Sequence, residues 1–348
     1  MLFIIGNGFD IALGLKTSYR DFLKWYLKQK TEDKDVLRLK DDIRIDFENN
    51  NLSSWADLEI KLGSYTGAYG ESIEESVSFE TAYRNIKDNL NKYLKSQESK
   101  TNNNLNLPSV IDEVRDFFIK FYYAFSTEKI KDLNPMLRDV NAQIKYDFAT
   151  FNYTKTLHNC LGLDDKILQE RRGSSGYRYK DCINKLEFIH GEVDNAPIMG
   201  VDDEEQIANE YFRKQEKIRL LLLKPHLNRE MQDGVIERVC TLINNSRVIC
   251  TVGTSLGESD IFWWKRIGHW LTSNTTRRLV VFWYTDDKTL LLHGDKKVFT
   301  ENSVRGRFLE LAGINQDKHT NLKAQIHVHV HGELFQTKLT SRKKKIVD

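Results

Sequence analysis

Residues 1–22 read MLFIIGNGFDIALGLKTSYRDF, and the reading of Gly6-Asn7-Gly8 inside this stretch decides the fold. The apolar run Leu2–Ile5 has the length and the β-rich content of a strand buried on both faces. Beyond it, Leu15, Tyr19, Phe22 and Tyr26 recur every three or four residues, which predicts helix over 11–28, interrupted or kinked at Gly14. A buried strand passing through a glycine pair into a helix suits an α/β sheet whose first strand is central. Two glycines let the backbone approach a phosphate, and a following helix N-terminus favours its charge. GNGFD is not GxGxxG, so a nucleotide cradle and a tight structural turn both remain open. Asp10 has the same ambiguity. It either caps the next helix or holds a ribose hydroxyl or a water.

The same unit returns late in the chain. SRVICTVGTSLGESD (246–260) predicts strand, Gly-rich loop and then helix through IFWWKRIGHWLTS (261–273). Gly253, Thr254, Ser255 and Glu258 are its candidate ligand-facing residues, because hydroxyls and backbone amides there suit a phosphate. A Ser/Asp-capped helix is the plain alternative, and the two are compatible. RRLVVFWYT (277–285) is a further strand-length apolar run. Such runs alternating with helices predict a mostly parallel sheet covered on both faces.

Between these units, residues 31–145 carry apolar residues at helical spacing, with glycine almost confined to GSYTGAYG (63–70). They predict a helical insertion, with a polar loop at KSQESKTNNNLNLPS (95–109). Sheet texture returns at 146–151 and again in LEFIHG (186–191), with APIMG (196–200) as hairpin or neighbour. Residues 201–245 predict a smaller helical insertion broken at Pro225. The α/β core is therefore discontinuous, 1–30 plus 146–348, and SRKKKIVD (341–348) reads as a solvated tail.

The 348 residues suit one large domain with insertions or two domains. A 40% hydrophobic and 29% charged composition is that of a soluble globular chain, and a net charge of +2 gives no basic stripe for nucleic acid. Cys160, Cys182, Cys240 and Cys250 form no CxxC pair, which argues against a thiolate zinc site and for reduced thiols. No signal-peptide pattern or bilayer-length apolar run is present, so the expectation is a cytoplasmic protein with no membrane contact.

Two strand ends carry chemistry. Asn152-Tyr153-Thr154 follow the strand ending near Phe151, and an Asn amide there can place a water or a ribose hydroxyl. His190-Gly191 follow LEFI, and histidine can take a proton near neutral pH. His327, His329 and His331 alternate in KAQIHVHVHGEL (323–334), so a strand puts them on one face, either as metal ligands or as an exposed sheet face. Lys224-Pro225-His226 is a polar spot without an evident partner.

Taken in order, LFIIGNGFDIALGLKTSYRDF, FNYTKTL, IHGE and GTSLGESD resemble the AbiH family of abortive-infection proteins that act against bacteriophage. More distantly the set resembles sirtuin-like NAD-binding domains, including those that hydrolyse NAD in phage defence. The resemblance implies a Rossmann-like (sirtuin-like) parallel sheet with a large helical insertion. It implies that Gly6, Asn7, Gly8, Phe9, Gly253, Thr254 and Ser255 hold a diphosphate, with Tyr153, Thr154, Gly191 and Glu258 at the same site. Asn152 would hold water or the nicotinamide ribose, His190 would be general base, and Asp10 joins them as a catalytic candidate. Thr154 stands where that pattern has Asp, and the deacetylases' zinc-binding cysteine pairs are missing, which argues against protein deacetylation.

The leading expectation is an effector that cleaves the nicotinamide–ribose bond of NAD or a related nucleotide, with no cofactor required and a phage-derived trigger. The alternative is a nucleotide-regulated toxin acting on RNA, tRNA or a host protein, supported by Tyr65, Tyr69 and Tyr83 in a lysine-rich insertion. A nuclease would draw on Asp10, Glu59, Glu192 and Asp260, which show no recognised metal spacing. A homo-oligomer is expected, with some of Trp263, Trp264 and Trp270 interfacial.

Overall fold

The computed structural model describes residues 1–49, 55–100, 107–195, 197–231 and 234–339. The expected tail at 341–348, and 101–106 of the expected polar loop, lie outside the described residues. Seven strands form one sheet: β1 (Leu2–Ile5), β2 (Lys145–Thr150), β3 (Ile167–Arg172), β4 (Arg178–Phe188), β5 (Val248–Val252), β6 (Arg278–Tyr284) and β7 (Ile326–His331). Their order is β3-β4-β2-β1-β5-β6-β7. All neighbours are parallel except β3 and β4. β1 is the central strand, as its unbroken apolar run predicts, and the chain moves to one side of it through β2 and to the other through β5. The fold is α/β and Rossmann-like, and the β1/β5 gap is its topological switch point, where such sheets bind ligands.

Both faces of the sheet are covered. Phe3 and Ile5 join Phe148, Cys250, Val252, Val280 and Phe282 under the helix Leu107–Lys120 and the segment after it. Leu2 and Ile4 point the other way, with Ala149, Ile249, Val281 and Val328, under the helices Val235–Asn245, Ile261–Thr272 and Gly294–Leu311. The alternation of side chains along each strand sends one set to each layer. The predicted 11–28 helix is two, Gly8–Ala12 and Tyr19–Tyr26, parted at Gly14, whose φ of 90° a side chain rarely adopts.

The stretch 31–145 is helical throughout its described elements, but it serves two layers. Helices Lys34–Glu48, Trp55–Tyr65 and Ile73–Glu98 form a separate apolar body with Tyr19–Tyr26 and residues 193–223. Helix Leu107–Lys120 packs on the sheet itself, with Phe118 4.6 Å from Phe3 ring to ring and 4.9 Å from Phe148. Pro225 lies in the first turn of Lys224–Met231, just after Glu216–Leu222, so the expected pair of helices about a proline forms.

Several local expectations are corrected. Only Leu186–Phe188 of LEFIHG are strand, as the end of the longer β4, which pairs antiparallel with the unforeseen β3, and the strand stops before His190-Gly191. Residues 197–200 are not a strand; Ile198 N instead donates to His190 O at 2.7 Å. Trp263, Trp264 and Trp270 are core residues rather than interfacial ones, because that helix packs on the sheet together with the helices Val235–Asn245 and Gly294–Leu311. The histidine face of β7 is not an exposed sheet face. His329 lies against Phe125 and Phe282, and His327 bonds Asp132 at 2.8 Å, because residues 121–137 cover that end of the sheet. Burial pushes His329 and His331 down to about 4, so both are neutral at pH 7.

Candidate functional site

The register of the sheet builds the site. Ile5 pairs with Val252 on one side and Thr150 on the other, so Gly6, Gly253 and Phe151 leave the sheet together. The two glycine loops touch directly: Gly6 N donates to Val252 O at 2.9 Å and Gly8 N to Gly253 O at 2.8 Å. A Cβ on Gly8 would stand 2.7 Å from Gly253 Cα, and one on Gly253 (φ +68°) would stand 2.4 Å from Phe9 N. Both glycines are needed for this contact alone. The Asn7 amide pins the far side of the loop by donating to Thr17 O at 2.8 Å.

A cleft of about 650 Å³ opens above these loops at the carboxyl edge. Gly6, Asn7, Gly8, Asp10, Asn152, Tyr153, Thr154, His190, Gly253, Thr254 and Ser255 all line it. Glu59 and Leu94 bring the helical body to its wall, and Trp283, Tyr284 and Glu333 extend it toward β6 and β7. Three residues named from sequence do not line it. Phe9 packs in the core against Phe335 and Phe118, Gly191 makes a turn at φ 73°, and Glu258 is exposed and 3.6 Å from Arg307.

Asp10 is fully buried and does not cap its helix. Asn152 Nδ2 donates to Asp10 Oδ1 at 2.9 Å, and the Thr154 hydroxyl donates to Oδ2. Burial pushes the Asp10 carboxyl up to about 7 against these two hydrogen bonds. With its amide nitrogen committed to Asp10, Asn152 keeps a buried Oδ1 without a partner. The Thr254 hydroxyl is likewise buried and unpartnered. Buried polar atoms of this kind call for an explanation, and a bound ligand or water is the ordinary one.

His190 lies two residues beyond β4, 4% exposed, with its ring 5.4 Å from Phe151 and 6.3 Å from Tyr153. Its Nε2 is 2.9 Å from Asp260 Oδ1, and its Nδ1 is buried with no partner. A carboxylate beside Nε2 favours the tautomer with the proton there, which leaves the Nδ1 lone pair free. Lys224, the lysine without an evident partner, completes the group. Its Nζ is 2.9 Å from Asp260 Oδ1 and 3.3 Å from Glu59 Oε2. No local signal revealed this, because the partners come from three separate parts of the chain.

The four carboxylates considered for a nuclease do not meet at one point. Asp10 bonds Asn152 and Thr154, Glu192 is 3.3 Å from Lys155, and Glu59 and Asp260 share Lys224. Among the described residues no group of three or more His, Cys, Asp or Glu is placed to hold a metal ion. Tyr65, Tyr69 and Tyr83 are core residues, so they offer no stacking surface for RNA.

A doubly wound, mostly parallel sheet with touching glycine loops and an Asn–Asp–His cleft at its switch point defines a Rossmann-like protein, with the cleft at the carboxyl edge where such sheets bind ligands. A family model described as bacteriophage abortive infection AbiH matches residues 2–283, and the chain belongs to that family. The match ends within β6, so β7 and the cleft wall at Glu333 lie beyond it. No curated protein matches the chain. No helix among the described residues is long and apolar enough to cross a membrane.

Proposed function

We propose that this abortive-infection protein is an effector that hydrolyses the nicotinamide–ribose bond of NAD or a related dinucleotide, in the cytoplasm and on a phage-derived trigger. One observation carries the reading. His190 Nδ1 and Asn152 Oδ1, both buried and unpartnered, belong to residues lining the same cleft as the paired glycine loops. The loops suit a diphosphate, with the Thr254 hydroxyl as a donor to it. Asn152, held by Asp10, positions the attacking water or the ribose. Water oxygen bonds to the anomeric carbon as the carbon–nitrogen bond breaks. The bonding pair leaves with neutral nicotinamide, and the water proton passes to His190 Nδ1. The products are ADP-ribose, nicotinamide and one proton. Fixed groups around an oxocarbenium-like sugar supply orientation. A homo-oligomeric assembly belongs to the same proposal, as a means of keeping the effector silent before infection.

The test follows nicotinamide release from NAD by chromatography, with purified protein and in phage-challenged cells, where the trigger is present. His190→Ala and Asn152→Ala are each expected to lower the rate by about 10²–10⁴-fold while leaving the fold intact. Constant NAD during a productive defence response, or loss in His190→Ala as fast as in wild type, overturns the hydrolase reading. The nucleotide-regulated toxin acting on RNA or a host protein would then lead.

A further inference from the structure

His190 can take a proton at Nδ1 only if its other nitrogen is held as N–H, and the group that secures this lies outside every motif of the cleft. Asp260 Oδ1 receives two donors, His190 Nε2 at 2.9 Å and Lys224 Nζ at 2.9 Å. Lys224 is 2% exposed, and its ammonium also faces Glu59 Oε2 at 3.3 Å and Asp202 Oδ1 at 3.9 Å. Glu59 comes from the helical body, Asp202 from the segment after Gly200, and Asp260 from the loop after β5.

We propose that Lys224 is a positioning residue for His190: its ammonium holds Asp260 as the ionised acceptor of the His190 Nε2 proton and so keeps Nδ1 as the proton acceptor. The proposal rests on the reading of His190 as base. Desolvation alone would lower Lys224, but Asp260, Glu59 and Asp202 together hold it above the ordinary lysine value. Desolvation alone would raise Asp260, and Lys224 with His190 holds it below the ordinary carboxylate range. Burial raises Asp202 to about 6 against the pull of Lys224. Tyr153 and Tyr83 also face this cluster. Both are pushed up by burial and stay neutral, their hydroxyls donating to Ile198 O and Met199 O. Asp10 lines the same cleft, bonded to Asn152 and Thr154.

The charge arrangement gives two shifts of opposite sign. Removing the ammonium in Lys224→Met makes the His190–Asp260 pair bind its proton more tightly, so its titration moves to higher pH. Removing a negative charge in Glu59→Gln moves it to lower pH. Each shift is expected to be about one pH unit. The primary readout needs no substrate: ¹⁵N-histidine NMR of the full chain across pH, with the His190 signal assigned by its loss in His190→Gln. Wild type is expected to show the Nε2–H tautomer, with midpoints up in Lys224→Met and down in Glu59→Gln. The acid limb of the kcat profile for nicotinamide release should move the same way. An Nδ1–H tautomer in wild type, or unmoved midpoints in the folded variants, overturns the proposal. If Lys224→Met does not fold, the upward shift is read in Lys224→Gln, which also removes the ammonium. Shifted midpoints in a protein that never releases nicotinamide would leave Lys224 in its role and remove the hydrolase reading. Release that depends on His190 with unmoved midpoints would do the reverse.

Discussion

Asp10 carries a carboxyl that is wholly buried yet receives two hydrogen bonds, from Asn152 and Thr154. Burial raises its pKa from 3.8 to about 7, so the native protein holds a proton there that the unfolded chain has lost. The unfolded chain therefore binds fewer protons between those values, and this group's contribution to stability falls as pH rises from 3.8 to 7. Asp10→Asn removes the charge, so its stability relative to wild type should rise over that window and level off above it. The gain at pH 8 over pH 5 is expected to be about 1–3 kcal/mol, read by urea unfolding at both values. A difference that does not change with pH would refute the buried-charge account. Gly8→Ala is expected to act first on the fold. Its Cβ would meet Gly253 Cα at 2.7 Å, so the two loops must part, at a cost of about 2–4 kcal/mol. Thermal unfolding without nucleotide checks this; an unchanged midpoint would restore a role confined to phosphate contact. Asn152 and His190 were legible as polar residues just past apolar strands, and Asp10 as the acid following the first glycine pair. Lys224 was not, because a lysine sequence neighbourhood says nothing about carboxylates at 59, 202 and 260.

At the scale of elements, the sequence was plainest where a strand is buried on both faces. β1 is an unbroken apolar run, and β5 and β6 are apolar apart from Thr251 and Arg278, so their positions follow from that. The β3–β4 hairpin carries no such signal, because ILQERR has neither an apolar run nor an apolar–polar alternation and much of the hairpin faces solvent. Its anchor is a side chain instead. Arg171 bonds Asp181 at 2.9 Å, with Asp181 fully buried, and its guanidinium also donates to the carbonyls of Arg138, Val140 and Ala142. The hairpin is thereby tied to the chain entering β2. Arg171→Ala leaves the buried Asp181 carboxylate without its cation, with Ile144 N and Gln169 Nε2 still donating to it, and is expected to cost about 3 kcal/mol, with part recovered in Arg171→Ala/Asp181→Ala. Denaturant unfolding of the two singles and the double gives the coupling; a coupling near zero would show the pair to be incidental. β7 was legible as a strand, but the environment of its histidines was not, because residues 121–137 cover them from far away in sequence.

At the scale of the whole molecule, the cleft is lined by parts that share no local pattern: the glycine loops, a wall from the helical body at Glu59 and Leu94, and a rim at Glu333. Ligand binding across such a cleft should stabilise the native protein by RT ln(1 + [L]/Kd). NAD is therefore expected to raise the melting temperature of His190→Ala, in which binding persists without turnover. Thr254→Val, which keeps the shape but loses the unpartnered hydroxyl, should weaken that effect by roughly tenfold in Kd. Calorimetric titration of both variants measures it, and equal affinities would place the diphosphate elsewhere. The sequence by itself determined the strand–glycine–helix units, the helical middle, the break at Pro225 and the family pattern. These are local matters, since periodicity and turn residues record how each segment is buried or bent. Tertiary structure alone decided that Gly8 touches Gly253, that the helix Leu107–Lys120 belongs to the sheet layer, and that Lys224 joins Glu59 and Asp260 beside His190. Each of these depends on which distant segments meet, and a one-dimensional pattern of burial does not carry the identity of the partner.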